Sequence, residues 1–290
     1  MAQVTEVVKI RRRVLAEIAR MSFNDTLKDN VRNILDTVVT ESGPRYRCCI
    51  HKERAVLKER IALALSQPVG TVLEVAAENA AEGQIADMPI LTVLPEACDQ
   101  CPIDKFLVTD ACRNCVAHSC INSCNKKAIM VVNNRAYIDQ SKCVECGLCK
   151  RSCPYSAIIE ISRPCERACD LSAINAGSDR RAVIDYNKCV DCGACKIACP
   201  FGAIDDRSCM AQVIRELKDP DKRVYAILAP AFIGQFGAKI KPGQVMSAVS
   251  RLGFHAVEEV AFGADITTIE EAKEFVATVP AERPYMTTSC

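Results

Sequence analysis

In the first 85 residues apolar side chains recur every three to four positions. "VTEVVKIRRRVLAEIARM" sets Val7, Val8, Val14, Leu15 and Ile18 on one helical stripe, and "CCIHKERAVLKERIALAL" repeats the pattern. "SGPR" (42–45) and "SQPVG" (66–70) break these helices with Pro and Gly. Residues 98–209 lose the helical period and become dense in Cys, Pro and Gly. From 224 a third pattern begins. "RVYAILAP" predicts a buried strand, "PGQVMSAVSRLG" a helix stopped by Gly253, "FHAVEEV" a second strand, and "TTIEEAKEFVATV" a helix begun by a Thr cap. Strand, helix and strand in that order predict the start of an α/β domain, with no room before 290 for its sheet to be completed. The expected fold class is α+β, in three parts: a helical region over 1–95, a cysteine-rich region over 96–210 and an incomplete α/β unit over 220–290.

Composition removes several functions. The 290 residues carry 37 Lys and Arg against 36 Asp and Glu, a net charge of +1, so no overall field favours nucleic acid or acidic lipid. "KIRRR" (9–13) and "DRRA" (179–182) have no interleaved aromatics and read as solvated surface. No apolar run approaches the ~18 residues of a membrane span. The start, "MAQVTEVVKIRRRV", lacks the apolar core of a signal peptide, so a cytoplasmic location is expected. Twenty cysteines in a reducing compartment are unsuited to a disulfide framework, and metal is the natural use for them.

The middle region repeats itself. "RAYIDQSKCVECGLCKRSCPYSAI" (135–158) returns as "RAVIDYNKCVDCGACKIACPFGAI" (181–204), each with C-x2-C-x2-C-x3-C-P. Three thiolates within seven residues suit one face of an iron–sulfur cubane, whereas a single zinc site draws two close pairs from separated segments. Gly147 and Gly193 follow the second cysteine, where the chain must turn tightly and bring N–H groups to sulfur. In this arrangement the fourth cysteine crosses to the other cluster. The motif therefore predicts one 4Fe–4S cluster on Cys143, Cys146, Cys149 and Cys199, and a second on Cys189, Cys192, Cys195 and Cys153.

The half-motif C-x3-C-x3-A-I occurs twice more, in "CINSCNKKAI" (120–129) and "CERACDLSAI" (165–174). With the leading pairs of "CRNC" and "CDQC", a third cluster is expected on Cys112, Cys115, Cys120 and Cys169. A fourth is expected on Cys98, Cys101, Cys165 and Cys124. Asn125 and Asp170 replace the Pro of the intact motif, so vestigial cysteines are the alternative for this outer pair. His118, inside "CVAHSC", is expected to bond hydrogen or face solvent rather than ligate. Cys48 and Cys49 are expected to be buried structural thiols, and Cys209 is a linker thiol without partner spacing. His51 and His255 stand alone. No Walker or G-x-G-x-x-G loop occurs, so no nucleotide or flavin site is expected.

"ILAPAF", "LGFHAVEEVAFGADITTIEE" and "PYMTTSC" resemble the opening of the catalytic domain of FeFe hydrogenases. "RCCIHKERAVLKERI" and "CPIDKFLVTDACRNC" resemble the clostridial-type branch with accessory ferredoxin-like clusters. The resemblance implies that the α/β unit begins a hydrogenase catalytic domain. It also implies that Thr288, Ser289 and Cys290 match the first active-site signature, with Cys290 as a proton-relay thiol in a complete enzyme. The ligands of the di-iron H-cluster are not in this chain, so a catalytic portion in cis or a partner subunit in trans would supply them. The expected role is the electron-transfer portion of a ferredoxin-dependent hydrogenase-like oxidoreductase, with soluble ferredoxin or another redox protein as partner. A self-standing polyferredoxin-type subunit is the alternative, and a cluster-based redox sensor a minor third.

Overall fold

The computed structural model describes residues 4–99, 101, 105–179 and 181–278. The N-terminal stripe folds as expected. Helix α1 (Glu6–Phe23), capped by the Thr5 hydroxyl, buries Val14, Ile18 and Met21. The short helices α2 (Leu27–Asn30) and α3 (Asn33–Val38) follow, then α4 (Ile50–Ala64) and α5 (Leu73–Ala81). Their apolar faces meet around Ile18, Ile34, Ile61, Leu65 and Ala76. Fully buried Ile and Leu contribute about 1.5–3 kcal/mol each, which offsets the ordering of these connections.

The cysteine-rich region is built from two-stranded antiparallel sheets. Strand β1 (Leu91–Val93) is followed by β2 (Phe106–Val108), helix α6 (Ser119–Asn122), β3 (Ile129–Val132) and β4 (Arg135–Ile138). Then come α7 (Leu148–Ser152), β5 (Ile158–Glu160), α8 (Pro164–Arg167), β6 (Ile174–Ala176), β7 (Ala182–Ile184), α9 (Ala194–Ala198) and β8 (Ile204–Asp206). The pairs are β1 with β8, β2 with β5, β3 with β4 and β6 with β7. β1 lies inside the stretch assigned to the helical region, yet its partner comes from the far end of the cysteine-rich region, Leu91 facing Asp206.

Two small cores result, and they match side chain for side chain. One holds Phe106, Ile129, Ala136, Ile138 and Ile158. The other holds Leu91, Ile174, Ala182, Ile184 and Ile204. The first module, residues 105–160, is inserted into the second, whose strands come from both sides of it. Its ends lie side by side, the Ile161 N–H donating to the Lys105 carbonyl at 2.7 Å. Such an insertion needs no long connection and little loop-closure entropy.

Helix α10 (Met210–Lys218) returns to the N-terminal helices, burying Ala211 and Ile214 and seating Lys218 Nζ on the Phe23 carbonyl at 3.0 Å. Beyond it, β9 (Tyr225–Leu228), α11 (Pro242–Ser250) and β10 (Ala256–Glu259) form a parallel crossover unit. Two expectations change here. β9 is not buried, since Tyr225 is 55% and Ile227 73% exposed. Two strands supply no second layer to cover that face. The last helix, α12 (Val260–Thr278), is already under way before Thr267, because it follows β10 directly. Thr267 and Thr268 bond back to the Gly263 and Ala264 carbonyls inside it and cap nothing. Helices and small sheets together make an α+β chain.

The N-terminal helices grip the enclosing module through charge. Arg60 and Asp205, whose side chains are 7% and 5% exposed, pair, and Arg60 also donates to the Gly202 carbonyl at 2.9 Å. Arg11 Nε meets Asp205 at 2.9 Å. Arg47 bridges Asp99 at 3.1 Å and the Phe201 carbonyl at 2.9 Å, and Lys52 reaches Glu96 at 2.7 Å.

Glu59, on α4, accepts from the Glu96 N–H at 3.1 Å. Burial, with the Glu96 charge a lesser cause, pushes its carboxyl up to about 7 from 4.5. The folded state therefore holds a proton that the unfolded chain releases, and stability is lost as pH rises from about 4.5 through about 7. Anaerobic thermal unfolding across that window should show the decline, and Glu59→Gln should flatten it. An unchanged slope in the variant would assign the decline to another group.

Candidate metal centres

Four cysteines open the same turn. The residue three places after each is left-handed: Lys127 at φ 49°, Ser156 at 51°, Ser172 at 49° and Gly202 at 61°. Their N–H groups donate to the carbonyls of Cys124, Cys153, Cys169 and Cys199 at 3.0, 3.2, 3.1 and 3.2 Å. The next residue is alanine in every copy. Its N–H donates to the cysteine sulfur: Ala128 to Cys124 at 3.3 Å, Ala157 to Cys153 at 3.3 Å, Ala173 to Cys169 at 3.2 Å and Ala203 to Cys199 at 3.3 Å. Such donors stabilise thiolate charge and tune a cluster bound to it.

Left-handed backbone is costly for a side chain, so its repetition at Lys127, Ser156 and Ser172 marks a constrained turn. Gly202 is glycine for an added reason, because a Cβ there would meet Val7 Cγ1 at 2.6 Å. Asn125 and Asp170, where the other copies have Pro154 and Pro200, leave the turn unaltered.

The alanine carbonyl then accepts from the strand that leads into a C-x2-C pair. Ala128 accepts from Asp139, Ala157 from Thr109, Ala173 from Asp185 and Ala203 from Leu94, at 2.7, 2.8, 2.7 and 2.7 Å. Those four residues in turn accept from the N–H groups of Cys143, Cys112, Cys189 and Cys98 at 3.1, 3.1, 3.0 and 3.1 Å. Each sheet thus delivers one fourth cysteine to one leading pair. The sets are Cys143, Cys146, Cys149 with Cys124; Cys112, Cys115, Cys120 with Cys153; Cys189, Cys192, Cys195 with Cys169; and Cys98, Cys101, Cys165 with Cys199.

Independent geometry agrees. A cavity of about 150 Å³ is lined by Cys124, Cys143, Cys146 and Cys149 with Phe106, Ile129 and Ile138. A narrower pocket is lined by Cys112, Cys115, Cys120 and Cys153. Burial raises the Cys120 thiol, with Cys153 the next cause. Burial pushes the Cys165 thiol up to about 12, with the neighbouring Cys199 next. Burial, then Cys199 and Cys98, raises Cys101. Cys169 packs into the core that holds Cys189 and Cys195 together with Cys98 and Cys165, and its place in the Cys189 set is given by the hydrogen bonds.

This distribution corrects the one expected from the tandem motif. Cys199 faces Cys98, Cys101 and Cys165 instead of completing the Cys143 set, and Cys153 faces the Cys112 set instead of the Cys189 set. Cys124 faces the Cys143 set instead of the Cys98 set, and Cys169 faces the Cys189 set instead of the Cys112 set. The physical reason is strand pairing. The two intact motifs resemble each other most but are not partners, since each hydrogen-bonds to a divergent copy.

The leading pairs share a second conformation. Asn114, Glu145 and Asp191, just before the second cysteine, are left-handed at φ 46°, 56° and 54°. Gly147 and Gly193 are left-handed N-caps two residues before the third cysteine, and His118 takes the same place in its unit at φ 45°. His118 is thus the counterpart of a glycine.

The donor sets fit iron–sulfur cubanes. They are all thiol, surrounded by apolar side chains and provided with N–H donors. Among the described residues no three His, Cys, Asp or Glu side chains converge closely enough for one metal ion. The sulfurs ring spaces rather than a point. Deprotonating thiols that burial has raised requires the metal's own charge, so loading and folding are coupled.

Three other cysteines are described. Cys48 and Cys49 are exposed, against expectation, with sulfurs 3.8 Å apart. Cys49 precedes α4, so its side chain stands outside the packed face, and the Lys52 N–H with the Cys48 thiol lowers its own thiol. Cys209 precedes α10, 3.8 Å from the Ser66 hydroxyl. Cys290, with Thr288 and Ser289, lies outside the described residues.

Cysteine quartets on paired strands, each fourth sulfur held by a backbone N–H, define a 4Fe–4S protein of the ferredoxin type, and the chain belongs to that family. The 4Fe-4S binding domain family matches residues 136–159 and 182–205. The iron only hydrogenase large subunit, C-terminal domain, matches residues 222–290. Iron hydrogenase 1 of Clostridium pasteurianum is 36% identical over 94 residues, 29% of this chain and 16% of that protein. Ferredoxin-1 of Caulobacter vibrioides is 34% identical over 53 residues, 18% of this chain and 47% of that protein. Ferredoxin 7Fe of Hydrogenibacillus schlegelii is 34% identical over 53 residues, 18% of this chain and 68% of that protein. The chain spans less than half the length of the first two. It is an FeFe-hydrogenase-like chain with ferredoxin-like 4Fe–4S domains. No helix among the described residues is long and apolar enough to cross a membrane.

Proposed function

We propose that the chain is the electron-transfer portion of an FeFe-hydrogenase-like oxidoreductase, wired by four 4Fe–4S clusters. The sixteen ligands are Cys98, Cys101, Cys112, Cys115, Cys120, Cys124, Cys143, Cys146, Cys149, Cys153, Cys165, Cys169, Cys189, Cys192, Cys195 and Cys199. The observation that carries this is the fourfold identity of the turns at Cys124, Cys153, Cys169 and Cys199, which two matched motifs alone do not account for. A bound cubane takes up and returns one electron at a time. The chain's own residues supply thiolates, N–H donors to sulfur and apolar walls that keep water from the quartets. Residues 1–95 form the supporting helical region, 96–210 the multi-cluster domain and 220–290 part of a hydrogenase catalytic domain. Cys290 is the proton-relay thiol of that domain, and no residue of this sequence is assigned as a ligand of the di-iron centre. The working location is the cytoplasm, and the partner is a soluble redox protein.

Iron analysis of anaerobically purified chain tests the cluster count. About sixteen iron atoms per chain are expected for four cubanes. About eight would mean that only two clusters form and would overturn the four-cluster reading.

A further inference from the structure

The two modules share a fold but not a charge. Residues 105–160 carry eight Lys and Arg against four Asp and Glu. Residues 91–99 and 161–206 carry six against nine. The inserted module is therefore a basic body in a chain whose net charge is only +1.

Within it, Lys105, Arg135, Lys142 and Lys150 have carboxylate partners. Arg113, Lys126, Lys127 and Arg151 are exposed and make no ion pair among the described residues. Three of these four stand at the lips of the two cysteine quartets. Lys126 lines the cavity of Cys124, Cys143, Cys146 and Cys149. Arg151 Nη1 lies 3.6 Å from the Cβ position of Gly147, which lines the same cavity. Arg113 lines the pocket of Cys112, Cys115, Cys120 and Cys153.

The fold does not need these cations. The matching positions of the enclosing module hold Asp99 for Arg113, Leu171 for Lys126, Ser172 for Lys127 and Ile197 for Arg151, around the same turns. Unpaired charge gathered at a redox site, and dispensable to its twin, points outward to a partner. The same face brings its quartet to the surface, since Cys146 is exposed and Val144 is 58% exposed. On the enclosing module the counterparts Cys192 and Val190 are exposed as well, so it is the cations that set the inserted module apart. The other quartet there has Cys165 and Cys199 buried, with Arg11, Arg47, Lys52 and Arg60 of the N-terminal region tied to the segments around them.

We infer that a small acidic electron-carrier protein docks on the inserted module, at the basic lip formed by Lys126 and Arg151 beside Cys146 with the exposed Lys127 next to Lys126, and exchanges electrons with the Cys124, Cys143, Cys146 and Cys149 site. This rests on the electron-transfer reading above. The step is a one-electron exchange: the reduced carrier loses the electron that the oxidised cluster gains, and no atom is transferred.

The test is stopped-flow reduction of the iron-loaded chain by a reduced acidic two-cluster ferredoxin, with methyl viologen radical as the second reductant. Lys126→Glu/Lys127→Glu should slow the ferredoxin reaction at least about tenfold at low salt and flatten its fall with ionic strength. Reduction by the viologen should not slow. Arg12→Glu/Lys58→Glu, the same charge change on the N-terminal helices, should leave the ferredoxin rate within about twofold if the steering is local. Equal losses in both variants, or no loss in the first, would overturn the docking site. A chain reduced by viologen and indifferent to ferredoxin would also overturn it while leaving the electron-transfer reading intact. A loaded chain that accepts electrons from neither would overturn that reading itself.

Discussion

Replacing Cys153 by alanine is expected to free Cys112, Cys115 and Cys120 and to leave Cys189, Cys192 and Cys195 bound. Cys153 opens a turn whose alanine carbonyl accepts from Thr109, and Thr109 accepts from the Cys112 N–H. That strand pair delivers it to the Cys112 set and away from the other intact motif. A cubane left with three thiolates is open to water and loses iron readily, so the content should fall from about sixteen atoms to about twelve. The location of the loss decides between the pairings. Anaerobic alkylation followed by peptide mass mapping should label the 112–120 peptides in the variant and not the 189–195 peptides. Cys199→Ala should label Cys98, Cys101 and Cys165 by the same logic. Labelling of Cys189 in Cys153→Ala would restore the crossing read from the tandem motif and refute the strand-paired one.

Removing the Asp205 carboxylate should give the largest loss of stability among single substitutions outside the quartets. Asp205 is 4% exposed and meets Arg60, Arg11 at 2.9 Å and Lys196 at 3.7 Å. Burial already lowers the Arg60 guanidinium pKa, and Asp205 is the main influence holding it charged. Asp205→Ala leaves that charge buried with the Gly202 carbonyl, a loss of about 3–5 kcal/mol. Anaerobic denaturant unfolding measures it. Asp206→Ala, at a side chain 46% exposed and paired with Lys196, should cost at most about 1 kcal/mol. Arg60→Met/Asp205→Leu should recover much of the loss, since two apolar groups leave no unpaired charge. Equal effects from Asp205→Ala and Asp206→Ala would mean that water reaches the pair. The expected loss of grip falls on the Gly202 turn, so the Cys199 set should be the first to release iron.

Local patterns are legible where a local interaction determines them. The stripe of Val14 and Ile18 becomes the buried face of α1, because a helical period and a Thr cap are properties of adjacent residues. Gly147 and Gly193 are readable as tight turns, since their positive φ is a demand on one residue. Sequence and structure part where a local pattern must report something distant. The Thr pair resembles a cap, but α12 is already under way from Val260. Cys48 and Cys49 suggest burial by residue type, while their place at the head of α4 leaves them exposed. The unpaired cations at the quartets carry no signal in the sequence, because total charge is nearly balanced and their contrast with the enclosing module depends on knowing which positions correspond.

The chemistry is written along the chain: sixteen spaced thiols, the cubane preference of C-x2-C-x2-C-x3-C, the α+β class and the hydrogenase-like tail. The first three follow from spacing and residue type, which are local and additive, and the tail is legible as a resemblance to a known family. Which fourth cysteine meets which leading pair, the insertion of one ferredoxin module in another, and the quartets that the N-terminal helices cover all emerge on folding. They depend on strand partners as distant as Leu91 and Asp206. Several pairings of four nearly identical half-motifs satisfy the spacing equally well. What selects among them is the burial of Phe106, Ile129, Ile138 and Ile158 in one core and of Leu91, Ile174, Ile184 and Ile204 in the other.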